Sequence, residues 1–303
     1  FALFGLLASS VGTPLVQSNT IAMSVNDAVL LFLPKAEQKT VCIIAGAVTA
    51  ALVGIVILGG IQRIGKASEI IVPFMAIGYI AICIIVLSRF GGRILPAFCD
   101  IFSSALGIKQ AVGGAAGFGA ARALRIGMAR GVYSNEAGVG SAPMAHACAN
   151  TNDPVKQGMY GIFEVFADTI VMCTMTALVV LASGIPLQAC GEISGTSIAL
   201  RAFSTVLPER TTGIFLAVSM LLFAYTSLLG WAVYGMQCAK YLFGKRAQVP
   251  FCILYTVLTF AGALMKVDFV WTAGETLNYL MAAPNMLALL VLNREVRRET
   301  AFA

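Results

Sequence analysis

Histidine is almost missing from this sequence. His146 is the only one in 303 residues, which excludes a polyhistidine metal centre. Charge is nearly as scarce: Lys, Arg, Asp and Glu make up 11% of the chain, against about 25% in an ordinary soluble domain. HExxH, GxSxG and CxxC are all absent, and with them the spacings used by zinc hydrolases, α/β-hydrolases and thiol redox centres. Ser141 and His146 stand five residues apart, but the spacing supplies no acidic third member. No intramembrane aspartyl pair is present either, so catalysis is not expected. The chain opens on Phe1 in the middle of an apolar run, with no methionine and no basic n-region. It therefore reads as having neither a signal peptide nor a natural start, and as part of a longer protein.

What the chain has instead is apolar mass. It is 59% hydrophobic with a mean hydropathy of +0.88, and it lacks the polar surface that a soluble domain of this size needs. An all-α integral membrane protein follows, and the net charge of +6 is read as a basic cytoplasmic face. The eight cysteines show no paired spacing and lie mostly in apolar runs, where cysteine acts as a small hydrophobe. A Cys99–Cys190 disulfide would require both residues to face outward.

A bilayer-crossing helix needs about 20 mostly apolar residues. That ruler marks eight spans: Phe1 to about Leu33, Val41–Ile61, Ile70–Leu87, Ser103–Met128, Gln157–Ala182, Gly213–Phe243, Val249–Leu264 and Phe269–Leu292. Twelve basic residues fall in one set of alternate loops and eight in the other, which puts the first set and the C-terminus in the cytoplasm. The expected location is the cell inner membrane, with several passes.

Five segments break the membrane pattern. RGVYSNEAGVGSAP, Arg130–Pro143, places Asn135 and Glu136 among three glycines, and such backbone must be buried in protein or line a wet cavity. In SSVGTPLVQSN, Gln17 and Asn19 lie mid-span, either gluing helices together or facing a substrate path. Ala111–Gly119, AVGGAAGFG, is either a close-packing surface or a helix that unwinds to present amides and carbonyls. Glu164 and Asp168 share one face of the fifth span, four residues apart; a wet helix end, a structural hydrogen bond and coupling to a proton are all open. Thr226 and Ser227 are adjacent hydroxyls that either bond back to their own helix or meet a hard cation. Trp231 stands one turn beyond Ser227 and away from either interface, and so marks a pocket wall.

RGVYSNEAGVGSAP, then DPVKQG and FADTIVMCTMTAL, resemble the signature of the alanine/glycine:cation symporters. The resemblance continues through GWAVYGMQCAKYLFG and DFVWTAGETLNYLMAAPNMLALL and extends back through VPFMAIGYI and LVQSNTIA, covering essentially the whole chain. It implies a leucine-transporter-type fold of two five-helix inverted repeats. The eight spans would be core helices three to ten in one transmembrane domain over 1–303, with the second repeat over 104–292. It implies alanine or glycine carried inward with sodium by alternating access, with no cofactor beyond that coupling ion and no nucleic-acid partner.

By this resemblance the substrate would meet Gln17, Asn19, Gly113, Gly114, Ala115, Gly117, Phe118, Ser227 and Trp231. Sodium would meet Thr226, Ser227 and Phe223. Asn135, Glu136 and Asp168 would be gating or structural groups. Glu164 departs from the family, which tends to have a small or apolar residue there. Core helices one and two would lie upstream of Phe1, so the 303 residues alone would hold only part of each site and are expected not to transport. A proton-coupled transporter of the same fold and a non-transporting amino-acid sensor are the alternatives.

Overall fold

The computed structural model describes residues 1–105, 116–136, 138–186 and 195–301, and every regular element among them is helical. The first span is one unbroken rod in three parts: α1 (Ala2–Leu7), a π-helical turn (Ala8–Gly12) and α2 (Thr13–Leu30). Gly12 and Pro14, residues that ordinarily interrupt a helix, do not break it. The helix survives because the carbonyl that Pro14 cannot engage, that of Ser10, lies in the widened turn. The Ser9 and Ser10 hydroxyls donate back to the Gly5 and Leu6 carbonyls at 2.7 and 2.6 Å.

Next come α3 (Gln38–Ile57), α4 (Ile61–Arg89), α5 (Gly91–Ala105), α6 (Ala116–Asn135) and the short α7 (Ala142–His146). The fifth predicted span is α8 (Pro154–Val165), a second π-turn (Phe166–Met172) and α9 (Cys173–Ala182). The remaining helices are α10 (Gly195–Ser204), α11 (Glu209–Phe243), α12 (Gln248–Gly262) and α13 (Val267–Ala301). Local chemistry sets several ends. Asp153 caps α8, its Oδ1 accepting the Lys156 amide at 2.9 Å, with Pro154 in the first turn. Gly244, at φ +80°, closes α11.

Five of the described helical stretches are long and apolar enough to cross a membrane: Gln38–Ile57, Ile61–Arg89, Pro154–Ala182, Glu209–Phe243 and Phe269–Thr300. Two helices were missed in what had been read as loops, α5 and α10. On α5, Ile94, Ala97, Phe98 and Ile101 recur at the helical spacing of one face, a pattern that a ruler for continuous apolar runs passes over. Conversely, α6 continues to Asn135, so RGVYSN is helix rather than loop.

The chain divides into two compact units: residues 1–75, 136–165 and 217–303 in one, residues 76–135 and 166–216 in the other. In the first, α3 shows how a membrane helix is built. Its exposed side carries Ile44, Val48, Leu52 and Ile55, while its buried side carries Ala45, Gly46, Thr49, Ala50, Val53 and Gly54. Bulky aliphatics face lipid and small residues face protein, because close backbone approach, not apolarity, distinguishes the interior. Gly46 lies against Ala263, and Gly54 against Thr256. Ile21, Val53, Ile57, Leu228, Leu229 and Tyr255 then fill the core among α2, α3, α11 and α12. In the second unit, Tyr79, Phe203 and Phe215 form an aromatic group with centroids 6.2–6.3 Å apart, and the Tyr79 hydroxyl meets Thr176 Oγ1 at 2.8 Å.

At Gly262 two helices meet at backbone distance: a β-carbon there would stand 2.6 Å from Leu15 Cα and 2.8 Å from its carbonyl oxygen. Both obstacles are backbone and cannot swing aside. Gly262→Ala is expected to cost about 1–3 kcal/mol and to lower the unfolding temperature of the detergent-purified protein, read by size exclusion after heating. Gly158→Ala, which meets nothing within 4 Å, is the neutral comparison.

Candidate functional site

The signature turn is organised around the Glu136 carboxylate. It directly follows α6, whose C-terminal end carries partial negative charge and repels an anion. Two donors offset this: Trp231 Nε1–H reaches Oε1 at 2.8 Å, and the Ser141 hydroxyl reaches Oε2 at 2.6 Å. Ser141 is fully buried and Trp231 nearly so. Glu136 itself sits at φ +53°, an unusual angle for a residue with a side chain. The turn continues through Gly138 and Gly140, at φ +81° and +91°, which L side chains resist. Asn285 on α13 donates to the Gly138 carbonyl at 3.0 Å, and a β-carbon on Gly140 would stand 2.7 Å from the Asn285 amide. Glu136 and Gly138 are thus held from three sides, by α11, by α13 and by Ser141.

Trp231, expected as a pocket wall, has its ring buried in a cluster with Ala8, Val139 and Met281, and its edge meets Tyr234 at 5.5 Å. Ala8 opens the π-turn of the first rod, so one indole touches both irregular backbones of this unit. The reading from sequence had kept the two motifs apart; nothing in their spacing links position 136 to position 231.

The other expected residues fall in distinct places. Asn19 is buried, and its Nδ2 donates to the Gly262 and Met265 carbonyls at 3.1 and 2.8 Å. Both amide protons are thereby engaged in holding the end of α12 onto α2, the helix-gluing alternative. Gln17, half-buried on the same helix, has no hydrogen-bond partner among the described residues. Thr226 donates back to the Leu222 and Phe223 carbonyls, both at 3.0 Å, so the Phe223 carbonyl and the Thr226 hydroxyl are bonded to each other. Ser227 is half-buried and has no partner among the described residues. Gly113, Gly114 and Ala115 lie outside the described residues. Gly117 and Phe118 lie in the first turn of α6, where only the backbone is described.

In the second unit, Ser134 Oγ donates to Asp168 Oδ2 at 3.4 Å, and Asn135 Nδ2 donates to Thr169 Oγ1 at 3.1 Å. Asp168 and Thr169 stand on the second π-turn, so this widened stretch is tied by its side chains to the end of α6. Cys99 carries a free, exposed thiol; Cys190 lies outside the described residues.

Apolar helices with small-residue interiors, two π-turns and a half-buried carboxylate at a glycine-rich turn define a multi-pass membrane protein with polar groups inside it. The chain belongs to the sodium:alanine symporter family, whose sequence model matches residues 1–301. It is 39% identical over 303 residues to the sodium/alanine symporter AgcS of Methanococcus maripaludis, covering 99% of this chain and 63% of that protein. It is 34% identical over 295 residues to the probable sodium/glutamine symporter GlnT of Bacillus subtilis, covering 97% of this chain and 57% of the relative. It is 30% identical over 303 residues to a sodium/proton-dependent alanine carrier protein of Bacillus sp. PS3, covering 95% and 65%. The chain thus spans about two thirds or less of these relatives.

Removing the Glu136 carboxylate strands two buried donors. Glu136→Ala is expected to cost about 2–4 kcal/mol, and Glu136→Gln, which keeps one acceptor, about half as much. Thermal unfolding of the purified protein, run as a double-mutant cycle with Trp231→Phe, should return a coupling of about 1.5–3 kcal/mol between the two positions.

Proposed function

We propose that this chain works as part of a secondary active transporter that moves a small neutral amino acid, alanine or glycine, into the cell together with sodium. The observation that carries the reading is the family match over residues 1–301, joined to the 39% identity with a sodium/alanine symporter. The helix chemistry is compatible with it. A transporter that alternates access needs rigid packed helices with a few polar breaks, and the π-turns and the 136–141 turn are breaks of that kind.

Ser227 is the side chain in this reading that would meet sodium on α11, since its hydroxyl is uncommitted among the described residues. Thr226 would add its oxygen lone pairs while its proton stays on the Phe223 and Leu222 carbonyls. Gln17 is the corresponding uncommitted amide on α2 and would line the substrate path; Asn19 serves to hold that helix in place. The C-terminus lies in the cytoplasm in this reading, on the distribution of Lys and Arg between loops. A second reading, with a proton as coupling ion or a larger amide substrate, is favoured by the relatives' names: one is a sodium/proton-dependent alanine carrier and another a probable glutamine symporter.

Uptake of labelled alanine by liposomes holding the intact protein decides between them. An inward sodium gradient should drive accumulation that glycine competes for and glutamine does not. Accumulation driven equally by a pH gradient without sodium would replace this reading with the second. Ser227→Ala should raise the sodium concentration for half-maximal uptake about fivefold, the cost of one neutral oxygen contact, with the maximal rate retained. An unchanged sodium response would remove Ser227 from the cation site.

A further inference from the structure

The only histidine is seated against one face of α8. Gln157, Gly161 and Glu164 follow one another at the i, i+4, i+7 spacing of a single helical face. The imidazole of His146 lies along all three. Its Nδ1 is 2.8 Å from Gln157 Nε2, and its Nε2 is 3.4 Å from Glu164 Oε2. Between them, a β-carbon on Gly161 would stand 3.2 Å from Nε2, so the glycine supplies the slot in which the ring lies. The His146 side chain is 25% exposed and that of Glu164 67%, so neither is sealed inside the protein.

We propose that His146, Gln157 and Glu164 form a proton-binding site whose occupancy latches α7 onto α8. With one proton on the ring, Nδ1 accepts from the Gln157 amide and Nε2–H faces the carboxylate. A second proton, taken from water, goes to Nδ1. The Gln157 amide then turns to present its oxygen to Nδ1–H, while Nε2–H and Glu164 become an ion pair. Both states keep the nitrogens partnered, and only the second adds attraction between opposite charges across the two helices.

The groups around the imidazole come from α8, α11 and α13. On α8 the charged neighbours are Glu164 and, beside Gln157 in sequence, the exposed Lys156. From α11, Cys238 meets Met144 and Gln237 meets Cys148, while the Tyr234 phenol lies in electrostatic range of Glu136 and Glu164. On α13, Leu277 and Met281 pack beside this hairpin and Asn285 holds its preceding turn; none of the three titrates. Thiols and phenols ordinarily titrate above about pH 8.

The latch connects to the Glu136 turn through five residues of α7, with Met144 packed on the Trp231 cluster. Its effect on uptake rests on the transport reading above; its existence does not. Amide hydrogen exchange over residues 142–165 of the intact protein, corrected for the intrinsic pH effect, tests it directly. Protection should fall roughly threefold from about pH 5.5 to about pH 8, the size expected of a partly exposed ion pair, and sodium-driven uptake should rise over the same range as the latch opens. His146→Gln and Glu164→Gln should each abolish the pH response of both measurements while leaving sodium dependence intact. Gly161→Ala, which crowds the ring without removing a titratable group, should weaken protection at low pH. A pH-independent wild type, a response that survives in either glutamine variant, or full low-pH protection in Gly161→Ala overturns the proposal. Absent uptake in every form would count against the transport reading alone, because exchange still decides the proton site.

Discussion

The first unit depends on one constraint, the approach of α12 and α13 to the first rod at backbone distance. Gly262 rests on the Pro14–Leu15 backbone, and Gly12 rests on Gly274, with a Cβ at Gly12 only 3.4 Å from the Gly274 α-carbon. In lipid there is no water to expel from between helices, so association rests on packing and on polar ties. Asn19 supplies such a tie within a turn or two of these contacts, spanning to the end of α12. The rod therefore cannot slide along its neighbours without losing two hydrogen bonds and meeting backbone. That fixed rod places Ala8 beneath Trp231, and Trp231 in turn holds Glu136.

Helix packing and the signature turn are thus one assembly. Glu136 occupies an unfavourable backbone angle at the negative end of a helix, and the indole and hydroxyl that offset this come from 95 and 5 residues away in sequence, respectively. The glycines at 138 and 140 permit the turn, but Asn285 and the ring of Phe1 shape the space into which it folds. The turn runs through Ser141 directly into α7, which joins it to the seat proposed for a proton at His146.

Much of this was legible in the residues. Composition established a helical membrane protein, because no soluble fold tolerates so little charge. The long apolar runs mark α3, α4, α8–α9, α11 and α13 directly. The family signature stood out in RGVYSNEAGVGSAP, where glycines and amides interrupt apolar surroundings. The amphipathic α5 and α10 escaped, since half of each turn is polar and a run-length criterion averages them away. The His146 seat also escaped, although Gln157, Gly161 and Glu164 have the spacing of one face. Seeing it required knowing that α7 folds back onto that face.

The sequence by itself determined the solvent this protein lives in, the helical class and the family, because these follow from local composition and from motifs read along the chain. Only the tertiary structure decided which polar residues are spoken for. Asn19 and Gln17 look alike in sequence, as do Thr226 and Ser227, yet among the described residues one of each pair is committed to a backbone carbonyl and the other is not. That distinction depends on which carbonyls a neighbouring helix end or the preceding turn leaves within about 3 Å, and no pattern along the chain records it.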